Sequence, residues 1–516
     1  MPTSTVSNAR SRNSANNPQP STRIKEMYPT SLFDISRESV SGSGIFDPDF
    51  ESFDASQAFG EMARSAEPIG LPELSEHEVV RHFTNLSRHA YGVDNGPYPL
   101  GSCTMKYNPK RNDAAAQLPG FAKAHPRQPH ASLGGLWEAF ADLQSFIAEL
   151  TGMDAVTLQP AAGAHGEFTG LLMIRKYFES RNEDRKIILI PDSAHGTNPA
   201  SAAMVGFECK IVPTTSEGLM DIQAMEQLLD EHVAALMLTN PSTLGLFERN
   251  ITTIAERLHD LGALLYYDGA NLNALMGIVR PGDMGFDVVH INTHKTLSTP
   301  HGGGGPGAGP VGVKSFLEPF LPTPVVCRKD GVVSLETAHP QSVGRVKTHF
   351  GHTEILLRAY AYILTQGPDG LKTATENAVL NANYLQARLA ELLPPVFEQY
   401  CMHECLLSGG KLEINAFDFV KRLIDFGVHP PTLVGAGCVH FAKEYDAAML
   451  IEPTETESKA ALDEVIEQFS KVAREAAVAP FTIETSPHTT QVAKIVKDEA
   501  AYISLLEASI PNTKEK

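Results

Sequence analysis

A lysine at the end of an apolar strand is an unfavourable placement, because a buried ammonium group gives up its hydration. Lys295 is such a lysine. DVVHINTHKTLSTPHGGGGPGAGP, from Asp287, runs an apolar strand into a turn of small and hydroxylated residues. An amine there can form an imine with an aldehyde cofactor, which accounts for its position. Taken alone, Lys295 reads better as a side chain that merely snorkels from the strand end. Asp268 changes that balance: in LLYYDGANLNA it stands at the end of its own apolar strand. A carboxylate there can keep a pyridine nitrogen protonated, so that the ring accepts electrons from a carbanion. The plainer alternative for Asp268 is an Asx turn beside Gly269. Together, the two strand-end residues point to pyridoxal 5'-phosphate.

Phosphate is well held by backbone N–H groups at a glycine-opened helix start. QPAAGAHGEFTGLLMIRKYF offers one at Gly163, Ala164 and His165, although a simple helix start after a proline turn reads the same way. SAHGTNPASAAM brings His195 and Thr197 to the end of the KIILIP strand. A flat imidazole there can stack on a cofactor ring, and a hydroxyl can bond its phenolic oxygen. The rival reading is a capping turn in which Asn198 begins a helix and His195 is a surface histidine. Asn271 and His294 share the strand ends of Asp268 and Lys295 and complete the candidate cofactor contacts. Lys295 and His195 are the candidate catalytic residues.

Other motifs carry less. Gly302, Gly304 and Gly307 satisfy G-x-G-x-x-G, but the run includes Pro306 and is followed by PVGV instead of a helix, so it reads as a loop bordering the site. CMHEC contains Cys401, His403 and Cys405 without a second pair at ligand spacing, and no metal site is expected. Cys103, in GSCTMK, reads as a loop residue near the site rather than a nucleophile.

The elements that must position these residues alternate. Helices are expected over 132–151, from Gly163 to Phe178, from Asn198 to Val205, over 221–230 and over 251–261. Strands are expected at KIILIP, CKIV, AALML, ALLYY and VVHI, between Lys186 and Ile291. Short apolar strands separated by helices indicate a mostly parallel sheet covered on both faces, with ligands beyond the strands' carboxyl ends. Residues 1–65 read as a largely disordered arm, 66–330 as the large cofactor-binding domain and 331–516 as a smaller α+β domain. In the smaller domain, helices are expected over 353–364, 371–393 and 458–476. Ser75 is a candidate N-cap for a helix carrying Val79, Val80 and Phe83 on one face.

Composition removes several function classes. With 61 acidic and 42 basic residues the net charge is −19, which argues against nucleic acid, whose phosphates call for clustered Lys and Arg. No stretch reaches the roughly 18–20 apolar residues that span a bilayer. Six scattered cysteines suggest thiols in a reducing compartment rather than a disulfide framework. Residues 1–25 have Arg10, Arg12, Arg23 and Lys25 and no acidic residue, the composition of a mitochondrial transit peptide. They lack the large apolar residues of an amphipathic helix, so a plain tail and a cytoplasmic location are expected, with a mitochondrial location as the alternative.

Six blocks resemble the P-protein of the glycine cleavage system, glycine dehydrogenase (decarboxylating). They are YPLGSCTMKYNP, QPAAGAHGE, HGTNPASA, YYDGANLNA, RPGDMGFDVVHINTHKTLSTPHGGGGPG and MLIEPTETESK, spread over about 70–475. The length is similar to that of the second, lysine-bearing subunit of the two-subunit form. The resemblance implies the fold-type-I, aspartate-aminotransferase-like architecture, an α/β fold. It makes Lys295 the imine lysine, Asp268 the partner of the pyridine nitrogen and His195 the ring that stacks, with Thr197 and Gly163–His165 on the cofactor's oxygens. It further implies glycine as substrate, release of CO2, and transfer of the aminomethyl group to the lipoyl arm of the H-protein. A first subunit is the implied partner, in a heterotetramer with two copies of each. LVGAGCVHFAKEYDA, from Leu433, departs from the family's more regular apolar stretch. Two rivals stay open: a free-standing decarboxylase or aminotransferase, for which Arg422 is the sole small-domain arginine of note, and a non-catalytic scaffold subunit.

Overall fold

The computed structural model describes residues 31–38, 40, 54–63, 70–125, 128–303, 305–412, 414–433 and 447–490. Most of the expected 1–65 arm, and the irregular stretch after Leu433, lie outside them. The chain divides into two compact units, residues 1–92 with 489–516, and residues 93–488. The boundary expected near 330 therefore falls inside the second unit. In the first unit the expected helix runs from Glu76 to Ser87, and the Glu78 carboxylate accepts the Ser75 N–H at 3.0 Å.

The second unit is built on a seven-stranded sheet. Its strands are β1 (Ala155–Thr157), β2 (Ile187–Pro191), β3 (Glu208–Val212), β4 (Val233–Thr239), β5 (Leu264–Gly269), β6 (Val288–Ile291) and β7 (Val311–Val313), in the order β1-β7-β6-β5-β4-β2-β3. Neighbours from β6 to β3 pair in parallel, while β7 is antiparallel to both β6 and β1. The five apolar runs read from sequence are the parallel strands. The two antiparallel strands β1 and β7 are three residues each, too short to leave a periodic signal.

Alternation along each strand feeds two apolar layers. Leu264 and Tyr266 of β5 point into one, with Ile188 and Met237; Leu265 and Tyr267 point into the other, with Leu189 and Leu236. All are buried, and each such side chain contributes about 1.5–3 kcal/mol relative to exposure. Helices Gly134–Thr151, Gly163–Ser180, Thr197–Val205 and Ile251–Asp260 cover the faces.

A second sheet of three strands follows after the hairpin β8 (Val325–Lys329) and β9 (Val332–Glu336): β10 (Cys405–Ser408), β11 (Thr432–Leu433) and β12 (Ala448–Ile451), with β12 in the middle. The helical stretch Thr353–Leu389 joins the two parts and is broken where Gly367 takes φ 61° ahead of Pro368. Its first half buries Ile355 and Leu356 in the large core, and its second half buries Leu385 and Leu389 with Phe419 and Phe469 in the smaller one. Cys401 and Cys405 pack into that apolar core.

One strand contact tests this register. A Cβ at Gly269 would overlap the carbonyl oxygen of His290 on β6. Gly269→Ala should push β5 and β6 apart and cost about 1–3 kcal/mol, read as a lower Tm. An unchanged Tm would mean that the pair is less tightly seated than described.

Candidate active site

The chain segments that follow β1, β2, β4, β5 and β6 converge beyond the strand ends, where ligands bind in open α/β sheets. They enclose a cavity of ≈ 280 Å³. The turn after β1 supplies Ala162, Gly163 and Ala164, the segment after β2 supplies His195 and Thr197, and β4 leads to Thr239 and Thr243. The end of β5 places Asp268, Ala270 and Asn271 on the wall, and the turn after β6 places Asn292, His294 and Lys295 there. Eight of the nine sequence-derived candidates thus line one space. His165 does not: its Nδ1 accepts the Ala161 N–H at 3.1 Å, and its ring lies beside Phe168.

Lys295 sits in the short helical turn Thr293–Thr296. Its backbone N–H donates to the Asn292 carbonyl at 3.0 Å, but among the described residues its side-chain amine has no hydrogen bond or ion pair and lines the cavity uncommitted. His294, beside it, packs edge-on against His301 with ring centroids 4.8 Å apart. Burial, followed by the charges of His301, Lys295 and His290, pushes its imidazole down to about 3. His294 is therefore neutral at any ordinary pH.

Asp268 is almost fully buried, and burial alone would raise its carboxyl. The His290 imidazole, the Asn198 amide, the Ala270 N–H and the Lys295 ammonium together outweigh that penalty and hold it below the usual range. Asn198 Nδ2 donates at 2.9 Å, the Ala270 N–H donates at 3.0 Å, and His290 Nε2 stands 3.2 Å away. The anion is thus kept by groups from three segments. His290 is fixed on its other side by the Tyr266 hydroxyl, 3.1 Å from Nδ1.

Glu167 went unnoticed in the sequence. It lies one turn into helix Gly163–Ser180, is buried, and accepts hydrogen bonds from Thr197 Oγ1 at 2.8 Å, Ser201 Oγ at 3.0 Å and Asn198 Nδ2 at 3.3 Å. One carboxylate therefore ties the post-β2 turn to the helix that opens the candidate phosphate site. Thr197 Oγ1 also lies 2.9 Å from His195 Nδ1, which sets the imidazole's edge. Asn271, on the wall, is anchored by its amide, which donates to the Pro241 carbonyl at 2.9 Å. Ser102 comes from the GSCTMK loop, which the sequence places near the site, while Thr239, Thr243 and Asn292 complete the wall and were also missed. The local sequences of these three carry no distinguishing signal, whereas a carboxylate on the buried face of a helix, such as Glu167, is a signal that could have been found.

The residues present suit an aldehyde cofactor that carries a ring nitrogen and a phosphate. A Cβ at Gly163 would overlap the Asn292 amide, so only glycine lets the helix start approach that wall. The first N–H groups of an α-helix have no internal acceptors and suit an anion. Asn292 Oδ1 and Thr239 Oγ1 are buried on the cavity wall without hydrogen-bond partners, as expected of groups that wait for a ligand. A free amine, a maintained anion and a helix N-terminus match the three functions of such a molecule.

The glycine cleavage system P-protein model matches residues 111–333, and the glycine dehydrogenase C-terminal domain model matches residues 374–493. A probable glycine dehydrogenase (decarboxylating) subunit 2 of Listeria monocytogenes is 51% identical over 487 residues, covering 94% of this chain and 98% of its own. One from Bacillus licheniformis is 50% identical over 474 residues, covering 91% and 96%. Among solved structures, a glycine decarboxylase (P-protein) in inhibitor-bound form superposes with a TM-score of 0.68 at 23% identity, covering 80% of this chain and 94% of its own. Glutamate decarboxylase of Lactobacillus brevis reaches 0.61 at 13% identity, covering 80% and 95%; at such identities the two likenesses speak for the fold. The identity and coverage of the relatives decide the matter: the chain belongs to the glycine dehydrogenase (decarboxylating) family, the P-proteins of the glycine cleavage system.

Proposed function

We propose that this chain is the lysine-bearing catalytic subunit of a glycine decarboxylase that passes an aminomethyl group to a lipoylated carrier, the H-protein, and releases CO2. Pyridoxal phosphate is the family's cofactor. The observation that carries the reading is the joint presence, on one cavity, of an uncommitted Lys295 amine and an Asp268 held as an anion.

When bound, pyridoxal phosphate offers an aldehyde to an amine and a ring that accepts the electron pair left by a departing carboxylate. Lys295 would hold the cofactor through its aldehyde carbon. Asp268 would keep the ring nitrogen protonated, with Asn198 and His290 keeping Asp268 ionised. The helix start at Gly163 and Ala164 would hold phosphate, and His195 would lie against the ring. Neutral His294 adds no positive charge to the wall near Lys295. Glu167, through Thr197, fixes the height of the His195 turn.

The relatives' name, subunit 2, supports a first subunit as partner, and we propose two copies of each in the assembly. No helix among the described residues is long and apolar enough to cross a membrane, and we propose a cytoplasmic site of action. The aminotransferase reading loses its arginine. Arg422 donates to Glu475 at 2.8 and 3.0 Å and to Asp425 at 2.7 Å, and it is absent from the cavity wall.

Co-expression with a candidate first subunit should yield a visible imine band and exchange of labelled bicarbonate into glycine that depends on lipoylated carrier. A band without exchange would point to another pyridoxal-phosphate enzyme, and no band would favour the scaffold reading. Lys295→Ala should lose both signals. Asp268→Asn should keep the band and lower exchange by about 10²–10³, as for loss of one preorganised charge. Glu167→Ala should strand the Thr197 and Ser201 hydroxyls at a cost of about 1–3 kcal/mol, seen as a lower Tm and faster loss of cofactor on dilution.

A further inference from the structure

A second group of buried ionisable side chains stands behind the Ser102 wall of the cavity. His403, Glu404 and Glu452 are all 0% exposed, and their nearest nitrogen and oxygen atoms lie within 4.8 Å of one another. His403 Nε2 is 3.7 Å from Glu452 Oε1 and 4.0 Å from Glu404 Oε1. Neither ring nitrogen of His403 has a hydrogen-bond partner, and neither does Glu404 Oε1. Three polar side chains have thus been withdrawn from water and aimed at one point, which is costly unless the arrangement does something.

Their other contacts hold the turn that carries Ser102 to the cavity wall. Glu404 Oε2 accepts the N–H of Ser102 at 2.6 Å, and Ser102 lines the cavity with Lys295. Glu452 Oε2 accepts the Thr104 N–H at 2.8 Å, and its Oε1 accepts the Thr104 hydroxyl. Ser102 and Thr104 have φ of 62° and 46°, left-handed values that non-glycine residues adopt at a cost, and the two carboxylates hold them there. The charged and titratable groups that act on the cluster are Lys295 and Lys106 from the large-domain side, Glu455 from the segment after β12, and the buried thiols Cys401 and Cys405 around β10. Lys295 itself is also faced by Asp268, His294 and His301, which the variants below leave in place.

Two carboxylates this close in dry surroundings cannot both ionise. Burial and the neighbouring Glu452 push Glu404 well up, so it keeps its proton, on the oxygen that lacks a donor. Burial lifts Glu452 to about 7 against the Thr104 bonds and Lys295, so it is the anion at mildly alkaline pH. Burial and the lysines push His403 down to about 3, so it is neutral.

We propose that Glu404, Glu452 and His403 form a cluster with one proton and one negative charge that acts as counter-anion to the Lys295 ammonium whenever that lysine is not joined to the cofactor, and that holds the Ser102–Thr104 turn on the cavity wall. The proposal rests on the reading of Lys295 as the cofactor lysine. These are positioning residues: they reach the chemistry through Lys295 and Ser102. A shared proton has a signature that two independent anions lack. When either carboxylate is replaced by an amide, the other can ionise and take over.

The test is the pH dependence of Lys295 acetylation by acetic anhydride, measured by peptide mass spectrometry on the full chain stripped of cofactor. Glu404→Gln should leave the apparent Lys295 pKa nearly unchanged, and Glu452→Gln should shift it little. The double variant should lower it by about one unit, a tenfold gain in reactivity at a pH below both values. In the cofactor-loaded protein, the same double variant should move the pH midpoint of the visible band in the same direction. Equal, additive shifts from the two single variants would overturn the shared-proton cluster, and an unshifted double variant that melts like wild type would overturn the counter-anion role. If the double variant fails to fold, a full-unit drop in Glu452→Gln alone would overturn takeover by Glu404, and a small shift would support it. Loss of the visible band in the unmodified protein would instead sink the pyridoxal-phosphate reading, while the acetylation titration still reports the charge beside Lys295.

Discussion

The buried charge of Asp268 is the constraint on which the rest of the site depends. A carboxylate this far from water ionises only if its surroundings replace the lost hydration, and the replacements come from separate pieces of chain. Asn198 reaches it from the helix after β2, His290 from β6 and the Ala270 N–H from its own turn. Asp268 pairs with His290 across β5 and β6 and with Thr239 across β4 and β5. A one-residue slip in either pairing would turn His290 or Asp268 to the other face of the sheet. The same register that packs Tyr266 and Tyr267 into opposite layers is therefore what keeps the anion.

Segments flanking the smaller sheet brace the cavity wall with carboxylates, as Glu404 does through the Ser102 N–H. Lys106 shows how this works. Its fully buried ammonium donates to Glu455 at 2.8 Å, to Asn273 at 2.8 Å and to the Thr296 carbonyl at 2.9 Å. One cation thereby joins the segment after β12, the turn after β5 and the backbone beside Lys295. Thr432 of β11 adds a bond to the Gly101 carbonyl at 2.8 Å. A Cβ at Gly101 would overlap Leu450, so glycine is needed for the GSCTMK loop to lie against β12. Breaking a buried pair of this kind leaves an uncompensated charge, so the loop is held far more firmly than an exposed ion pair could hold it.

By itself the sequence determined the parallel strands, the helices between them and the two strand-end residues Asp268 and Lys295. These are local matters: apolar runs of strand length, glycine-marked turns and a charged residue where burial is costly. It also placed eight cofactor-contact candidates on the segments that form one cavity. Only the tertiary structure decided the antiparallel pairing of β1 and β7, the β8–β9 hairpin, the position of His165 off the cavity wall and the hydrogen-bond partners of Glu167, Ser102 and Glu452. Glu167 is an ordinary helix residue until the post-β2 turn brings three donors to it, and Glu452 lies 348 positions from the Thr104 that it holds. The physical reason is the same in each case. Desolvation, charge pairing and hydrogen-bond satisfaction depend on distance through space, and no local pattern along the chain encodes which distant groups will be brought together.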